Sequence, residues 1–217
     1  MKCWYVAATC DEVTDSPLSR RLLGTDVVLW RGADGTVNAF ENRCAHRAFP
    51  LSEGRINGDN LVCAYHGCTY DTSGKCVYTP AQPQVPTGMS VRLFPVIEQA
   101  PFIWIWPGNP AAATPRPPAA PWADKPHWTT FASAWKTDAN YLMIHEHYLD
   151  FSYAPVVHAS DLPPGLATMG AFNDVEVTET TVSYTRVLPE LPLAGWQADA
   201  TQLDPTALYK HREGGSF

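Results

Sequence analysis

No run in this 217-residue chain is long and apolar enough to span a bilayer. The N-terminus carries no basic, apolar leader either. The expectation is a soluble, cytoplasmic protein with no membrane partner. Positive charge is scarce: 15 Lys and Arg stand against 22 Asp and Glu, a formal net charge of −7. That argues against nucleic-acid binding through bulk charge. Helical periodicity is missing throughout residues 1–106, and no internal repeat is visible. Cysteine pairs with framework spacing are missing too, since Cys3, Cys10, Cys68 and Cys76 are scattered in a way that suits a reducing compartment. Apolar residues are plentiful at 45%, enough for a packed core in one large domain or two small ones.

The most informative stretch runs from Cys44 to His66. It reads Cys44-Ala-His46, sixteen residues, then Cys63-Ala-Tyr-His66. Two Cys/His pairs, each in its own short loop, are what an Fe–S cluster needs when two of its four protein ligands are imidazoles. In a Rieske [2Fe–2S] centre, two thiolates hold one iron and two histidines the other. Zinc is the competing reading, but usual zinc spacings favour Cys-x2-4-Cys and His-x3-5-His. A Cys44–Cys63 disulfide would leave both histidines unexplained.

Around this stretch the chain reads as short strands broken by Gly and Pro: Trp4 to Ala8, Asp26 to Trp30, Thr36 to Glu41, Leu61-Val62, Val77 to Thr79, Val91 to Phe94 and Phe102 to Trp106. Asp34-Gly35 marks a hairpin turn. Thr79 to Pro86 is expected to form a third loop over the cluster. Trp104 and Trp106 share one strand face and read as packing residues. Seven prolines between 107 and 126 exclude helix and central strand, so residues 107–127 read as an extended linker. It divides residues 1–106 from residues 128–217. A strand is expected from Trp128 to Thr137. Asn140 to Leu149 lacks Gly and Pro and reads as a helix, with Asp138 or Asn140 near its start. Alternation of Val175, Val177, Val182 and Tyr184 predicts a β-hairpin over Asn173 to Val187.

The flanks Asn42-Arg-Cys-Ala-His-Arg47 and Cys63-Ala-Tyr-His-Gly67 closely resemble the two ligand loops of the Rieske family. With the linker and a helix bearing Asn, Asp and His, the order of parts resembles the oxygenase subunit of Rieske-type non-haem iron oxygenases, in the vanillate O-demethylase-like branch. The resemblance implies a mainly β Rieske domain joined to a partial α+β catalytic domain of START/Bet v1-like fold. It implies a [2Fe–2S] cluster on Cys44, His46, Cys63 and His66, with Arg47 and Gly67 setting hydrogen bonds and close backbone approach around it. It also implies a mononuclear Fe(II), an NAD(P)H-dependent reductase or ferredoxin as electron donor, O2 and an aromatic or similar apolar substrate, and homotrimers. In the family, an Asp-x-x-His-x4-His helix supplies a bridging aspartate and two iron ligands, and a carboxylate from later in the chain supplies the third. Here Asp150 falls on the bridging aspartate and His158 on the second histidine. Tyr153 stands where the first histidine belongs, and no equivalent of the late carboxylate is found before Phe217. On a continuous helix His147 would lie well off the Asp150/Tyr153 face, and His145 roughly 12 Å away along the axis. Both histidines therefore read as structural or solvent-facing. Two functions are expected from these residues: an oxygenase component, or an electron-transfer protein with an incomplete mononuclear site.

Overall fold

The computed structural model describes residues 3–114, 116–118, 125–126, 135–150, 152–166, 174–179 and 181–216. The chain divides into two compact units, Met1–Ala134 and Trp135–Phe217.

In the first unit the strands are β1 (Tyr5–Thr9), β2 (Leu18–Leu22), β3 (Thr25–Arg31), β4 (Val37–Glu41), β5 (Arg55–Asn57), β6 (Asn60–Val62), β7 (Thr69–Tyr70), β8 (Cys76–Tyr78), β9 (Val96–Gln99) and β10 (Phe102–Ile105). They form three antiparallel sheets, ordered β2-β3-β4, β5-β6-β7-β8 and β1-β10-β9. Strand β3 is the dividing wall. Because strand side chains alternate, Val28 and Trp30 enter one core while Val27 and Leu29 enter the other. An unbroken apolar run on this strand is thus required by two cores. The first core holds Phe40, Leu51, Leu61 and Tyr70 around Cys44 and Cys63. The second packs Ala7, Val13, Phe94, Ile103 and Ile105.

The β3–β4 turn is fixed by its side chains as well as by Gly35. Gly35 N–H donates to the Gly32 carbonyl (2.9 Å), and Asp34 Oδ1 accepts from Thr36 N–H (2.8 Å). Strand β2 has no counterpart in the sequence reading. Its residues, Leu-Ser-Arg-Arg-Leu, give a weak apolar signal, and its hairpin turn is Leu23-Gly24, both at positive φ, rather than Asn-Gly. The strand expected at Val91 to Phe94 is not formed. Ser90 bridges to Lys75 and Leu93 to Phe40, so this stretch makes two isolated bridges instead of a ladder. Trp106 is buried and meets Trp4 edge-on at 5.6 Å, in keeping with a packing role.

In the second unit, α1 (Tyr141–Leu149) starts at Asn140, whose Oδ1 accepts from Leu142 N–H (2.9 Å). This is the side-chain cap that lets a short helix begin there. A turn, α2 (Ala154–Val157), follows. Strands β11 (Asp174–Val177), β12 (Val182–Leu191) and β13 (Tyr209–Ser216) make an antiparallel sheet in that order, with α3 (Gly195–Thr201) between the last two. The β11–β12 hairpin pairs Val177 with Val182. The β12–β13 ladder shifts register between Val187 and Glu190, where Pro189 offers no N–H. The strand expected from Trp128 falls largely outside the described residues; at 135–137 there is no strand.

Candidate metal centre

Two loops carry the Cys/His pairs, and they are built alike. In the first, Cys44 N–H donates to the Phe49 carbonyl (2.9 Å) and Ala48 N–H to the Cys44 carbonyl (2.9 Å). In the second, Cys63 N–H donates to the Cys68 carbonyl (2.9 Å) and Gly67 N–H to the Cys63 carbonyl (3.0 Å). Each turn contains a left-handed residue at its fifth position, Ala48 at φ 55° and Gly67 at φ 68°. In both, the cysteine sits at the base, buried, and the histidine sits at the exposed tip. The imidazoles of His46 and His66 meet edge to face with centroids 4.6 Å apart. Asn42 anchors the entrance to the first loop, accepting from Ser52 N–H (2.8 Å) and donating to Ser52 Oγ (2.9 Å). Tyr65 lies over His66 at 3.7 Å and against Phe49 at 5.3 Å, tying the two tips together.

All six cysteines are free thiols, and Cys44, Cys63, Cys68 and Cys76 are buried. Burial pushes the Cys63 thiol up, against the pull of the Tyr65 and His66 backbone N–H groups aimed at its sulfur. Burial, then the neighbouring Cys44, Cys76 and Cys63, pushes Cys68 up to about 11. The Cys44 sulfur and the Tyr70 hydroxyl are 3.1 Å apart, and that hydroxyl also accepts from Ala45 N–H (3.1 Å). Burial raises the Tyr70 phenol far above its usual range, so it stays protonated and can donate to sulfur. A cavity of about 210 Å³ is lined by His46, His66, Cys68, Pro80, Pro86 and Met89. The Thr79 to Pro86 loop therefore does lie beside the two histidines. Soft sulfur donors in the dry interior and two imidazoles at the surface are the donor set a [2Fe–2S] core requires, and the arrangement can hold one.

Tyr70, Cys68 and Ala48 were not foreseen from the sequence, and Pro80 only as part of the Thr79 to Pro86 loop. Only Cys68 carried any signal, as a third cysteine next to Gly67. Gly67 combines two constraints: its φ is positive, and a Cβ there would stand 3.1 Å from Pro80 Cγ. Arg47 stands exposed beside His46.

The second unit brings its candidates together differently from the helical expectation. Helix α1 ends at Asp150, whose backbone turns extended (φ −121°, ψ 95°). Asp150 Oδ1 accepts from Ser152 N–H (2.9 Å), and hydrogen bonding from the Ser152 side chain, then from its backbone, holds the carboxyl below the usual carboxylate range. The chain therefore doubles back, and Tyr153 stacks on His147 (4.6 Å) with its hydroxyl 2.7 Å from His147 Nε2. His147 is thus not off the Tyr153 face, because the helix does not continue past Asp150. His158 meets the Tyr153 ring edge-on at 5.7 Å and turns Nδ1 toward Asp161 at 3.6 Å. His145 lies against Tyr141. Among the described residues of the second unit, no group of three or more His, Cys, Asp and Glu side chains stands ready to hold a metal ion. A two-histidine, one-carboxylate iron site does not fit the residues present.

Residues 3–92 match the Rieske [2Fe-2S] domain, and residues 137–213 match the vanillate O-demethylase oxygenase C-terminal domain. A putative toluene-4-sulfonate monooxygenase system iron-sulfur subunit, TsaM2, of Comamonas testosteroni is 41% identical over 73% of this chain and 46% of its own length. The oxygenase component of dicamba O-demethylase from Stenotrophomonas maltophilia is 38% identical over 73% of this chain and 47% of its own length. The crystal structure of dicamba monooxygenase bound to 3,6-dichlorosalicylic acid superposes with a TM-score of 0.86 at 30% identity, covering 100% of this chain and 64% of that one. The chain spans about half the length of the curated relatives it matches. With its paired Cys/His loops, a Rieske domain that implies a [2Fe–2S] cluster, and the C-terminal domain match that follows, the chain belongs to the Rieske oxygenase subunits.

Proposed function

We propose that this chain is the oxygenase component of a Rieske-type system, taking electrons from an NAD(P)H-dependent reductase or a ferredoxin for O2-dependent hydroxylation or demethylation of an aromatic or similar apolar substrate. The observation that carries the reading is the pair of matched loops, with buried Cys44 and Cys63 below exposed His46 and His66. A [2Fe–2S] cluster bound there supplies one-electron transfer. The four residues have separable roles. Cys44 and Cys63 would hold one iron from the buried side, where their sulfurs would have to lose their protons on binding. His46 and His66 would hold the other and would give electrons a route to the protein surface. Tyr70 donates to Cys44, and the Tyr65 and His66 backbone N–H groups point at Cys63, so negative charge on the sulfurs is stabilised in place. Asp150 is the residue we assign to the path between subunits, in a homotrimer. We take residues 1–106 as the cluster domain, 107–127 as a linker and 128–217 as the start of the catalytic domain, in a cytoplasmic protein.

Support for oxygenase chemistry comes from the relatives: one is named a monooxygenase subunit and another an O-demethylase component. The electron-carrier reading rests on Tyr153, which leaves the family's iron motif incomplete. The deciding experiment is iron and sulfide per chain after anaerobic reconstitution, with an EPR spectrum of the reduced protein. Two irons, two sulfides and a Rieske signal, lost in His46→Ala and His66→Ala, are expected. Zinc without sulfide would overturn the assignment. Substrate-dependent O2 uptake with a reductase then separates oxygenase from carrier.

A further inference from the structure

We propose that the basic groove beside the first ligand loop is the docking face for the electron donor, and that the donor presents an acidic surface to it. This rests on the oxygenase-component reading, in which a separate protein reduces the cluster. A groove of about 780 Å³ lies between the first ligand loop and the Pro86–Ser90 stretch. Arg43, His46, Arg47 and Arg92 line it, and Glu41 is the one carboxylate among its lining residues. All three arginines are exposed. Among the described residues, the ion-paired arginines are Arg20, Arg21 and Arg31, so the three in the groove have no carboxylate partner. Backbone bonds set them together: Arg43 N–H donates to the Glu41 carbonyl (2.7 Å), and Glu41 N–H to the Arg92 carbonyl (2.8 Å). Arg92 is held further, since Nη2 donates to the Pro107 carbonyl (2.9 Å) and the guanidinium stands 4.8 Å from the Phe94 ring centre.

The groove leads to the histidine tips. It shares His46, Pro86 and Met89 with the cavity that His46 and His66 line. Lys75 lines a second hollow against the same Pro86–Ser90 stretch. Tyr65, stacked on His66, is 58% exposed. Arg and Tyr are the side chains enriched where protein surfaces associate. An electron donor must arrive, give up one electron and leave, so a fast encounter matters more than affinity, and charge complementarity supplies it. The donor loses one electron, the oxidised cluster gains it, and no bond forms or breaks. The chain's net charge of −7 repels an acidic partner only at long range. At physiological salt, screening acts within about 8 Å, so the local arginines set the sign at contact.

The test uses the full, cluster-loaded chain and a plant-type [2Fe–2S] ferredoxin as the acidic probe. Plant-type clusters have lower potentials than Rieske clusters, so transfer runs downhill. Binding to immobilised ferredoxin and stopped-flow reduction of the cluster are both followed at low and high salt. Photoreduced deazaflavin, a neutral donor, reports reduction without docking. Arg43→Glu with Arg92→Glu is expected to slow reduction by ferredoxin about tenfold or more at low salt and to weaken binding in step. Deazaflavin rates and the Rieske EPR signal stay at wild-type values. Arg43→Gln with Arg92→Gln, a gentler change to the fold, falls between. Lys210→Glu with Arg212→Glu makes the same change of net charge on the second unit and leaves the ferredoxin rate within about twofold. High salt brings wild type and the groove variants together. Equal slowing by the groove pair and the second-unit pair, or a wild-type rate indifferent to salt, overturns the docking face. The second unit holds 11 Asp and Glu against 4 Lys and Arg, so another copy of this chain is the competing occupant. If the groove variants lower the sedimentation coefficient and leave the ferredoxin rate unchanged, the groove is a contact between copies and the proposal is overturned. A chain that deazaflavin cannot reduce overturns instead the reading beneath it, since no donor then delivers electrons to these loops.

Discussion

Tyr70 and Gly67 act on the same two loops by different physics, and substitutions separate them. The Tyr70 hydroxyl lies 3.1 Å from the Cys44 sulfur in the buried core. A hydrogen bond to sulfur favours the reduced, more negative cluster, so its loss lowers the midpoint potential. Taking a bond of about 1 kcal/mol, Tyr70→Phe is expected to shift a one-electron potential down by roughly 40 mV, read by redox titration of the Rieske signal. Gly67 is a backbone matter. Ala48 shows that the matching loop tolerates a Cβ in the left-handed region, so positive φ alone does not forbid alanine at 67. The difference is Pro80, whose Cγ would lie 3.1 Å from that Cβ. Gly67→Ala is therefore expected to cost about 1–2 kcal/mol by denaturant titration and to loosen the Thr79–Pro86 loop over His46 and His66. Ala48→Gly, by contrast, leaves cluster content unchanged. Equal losses at the two positions would remove Pro80 from the explanation.

At the level of strands, one ion pair ties β3 to β9. Arg31 makes a two-pronged contact with Glu98 (2.8 Å and 2.8 Å), and also donates to the carbonyls of Val13 and Gly35. The Arg31 guanidinium holds the Glu98 carboxyl below its usual range. A carboxyl depressed in the folded state contributes stability above its unfolded value, and the contribution is lost as pH falls through the folded value. Wild type is thus expected to exceed Glu98→Gln by about 1 kcal/mol at neutral pH, a figure kept small because the pair is partly exposed. The gap should close on acidification below the carboxylate range; denaturant midpoints at both pH values measure it, and a gap that widens in acid contradicts the pairing. Elements with strong local signals were legible in the sequence. The Asp34-Gly35 turn, the alternating hairpin of Val175 to Tyr184 and the Asn140-capped helix all stand where composition put them. Strand β2 and two-residue β7 were not, because their pairing is decided by neighbours rather than by their own residues. Tyr153 against His147 was illegible for a related reason: Asp150 ends the helix by bonding Ser152, and 3.6-residue periodicity says nothing once the helix stops. The meeting of the two Cys/His loops was legible because its signal lies in spacing, whereas Tyr70 reaches them only through the fold.

Across the whole chain, buried apolar material is unevenly shared. Both large cores, with every buried cysteine, belong to the first unit. In the second, α1 has no buried residue, and Leu142, Met143, Val156 and Val157 are all more than half exposed. Exposed apolar residues close together in this way mark surfaces that associate. The Pro-rich stretch, meanwhile, begins by packing back onto the first unit: Trp106 Nε1 donates to the Asn109 carbonyl (2.9 Å) and Gln99 Nε2 to the Pro118 carbonyl (2.6 Å). A cut that respects these bonds falls after Pro118 rather than after Trp106. Residues 1–118 expressed alone are expected to hold two irons and two sulfides with the EPR signal of the full chain, to remain monomeric in sedimentation, and to bind little hydrophobic dye. The full chain should bind the dye and self-associate, and Leu142→Ser with Val156→Ser should reduce both. Loss of the cluster from residues 1–118 would mean that the two cores around β3 are not sufficient to fold the ligand loops, and that the second unit supports the metal centre as well as following it in sequence.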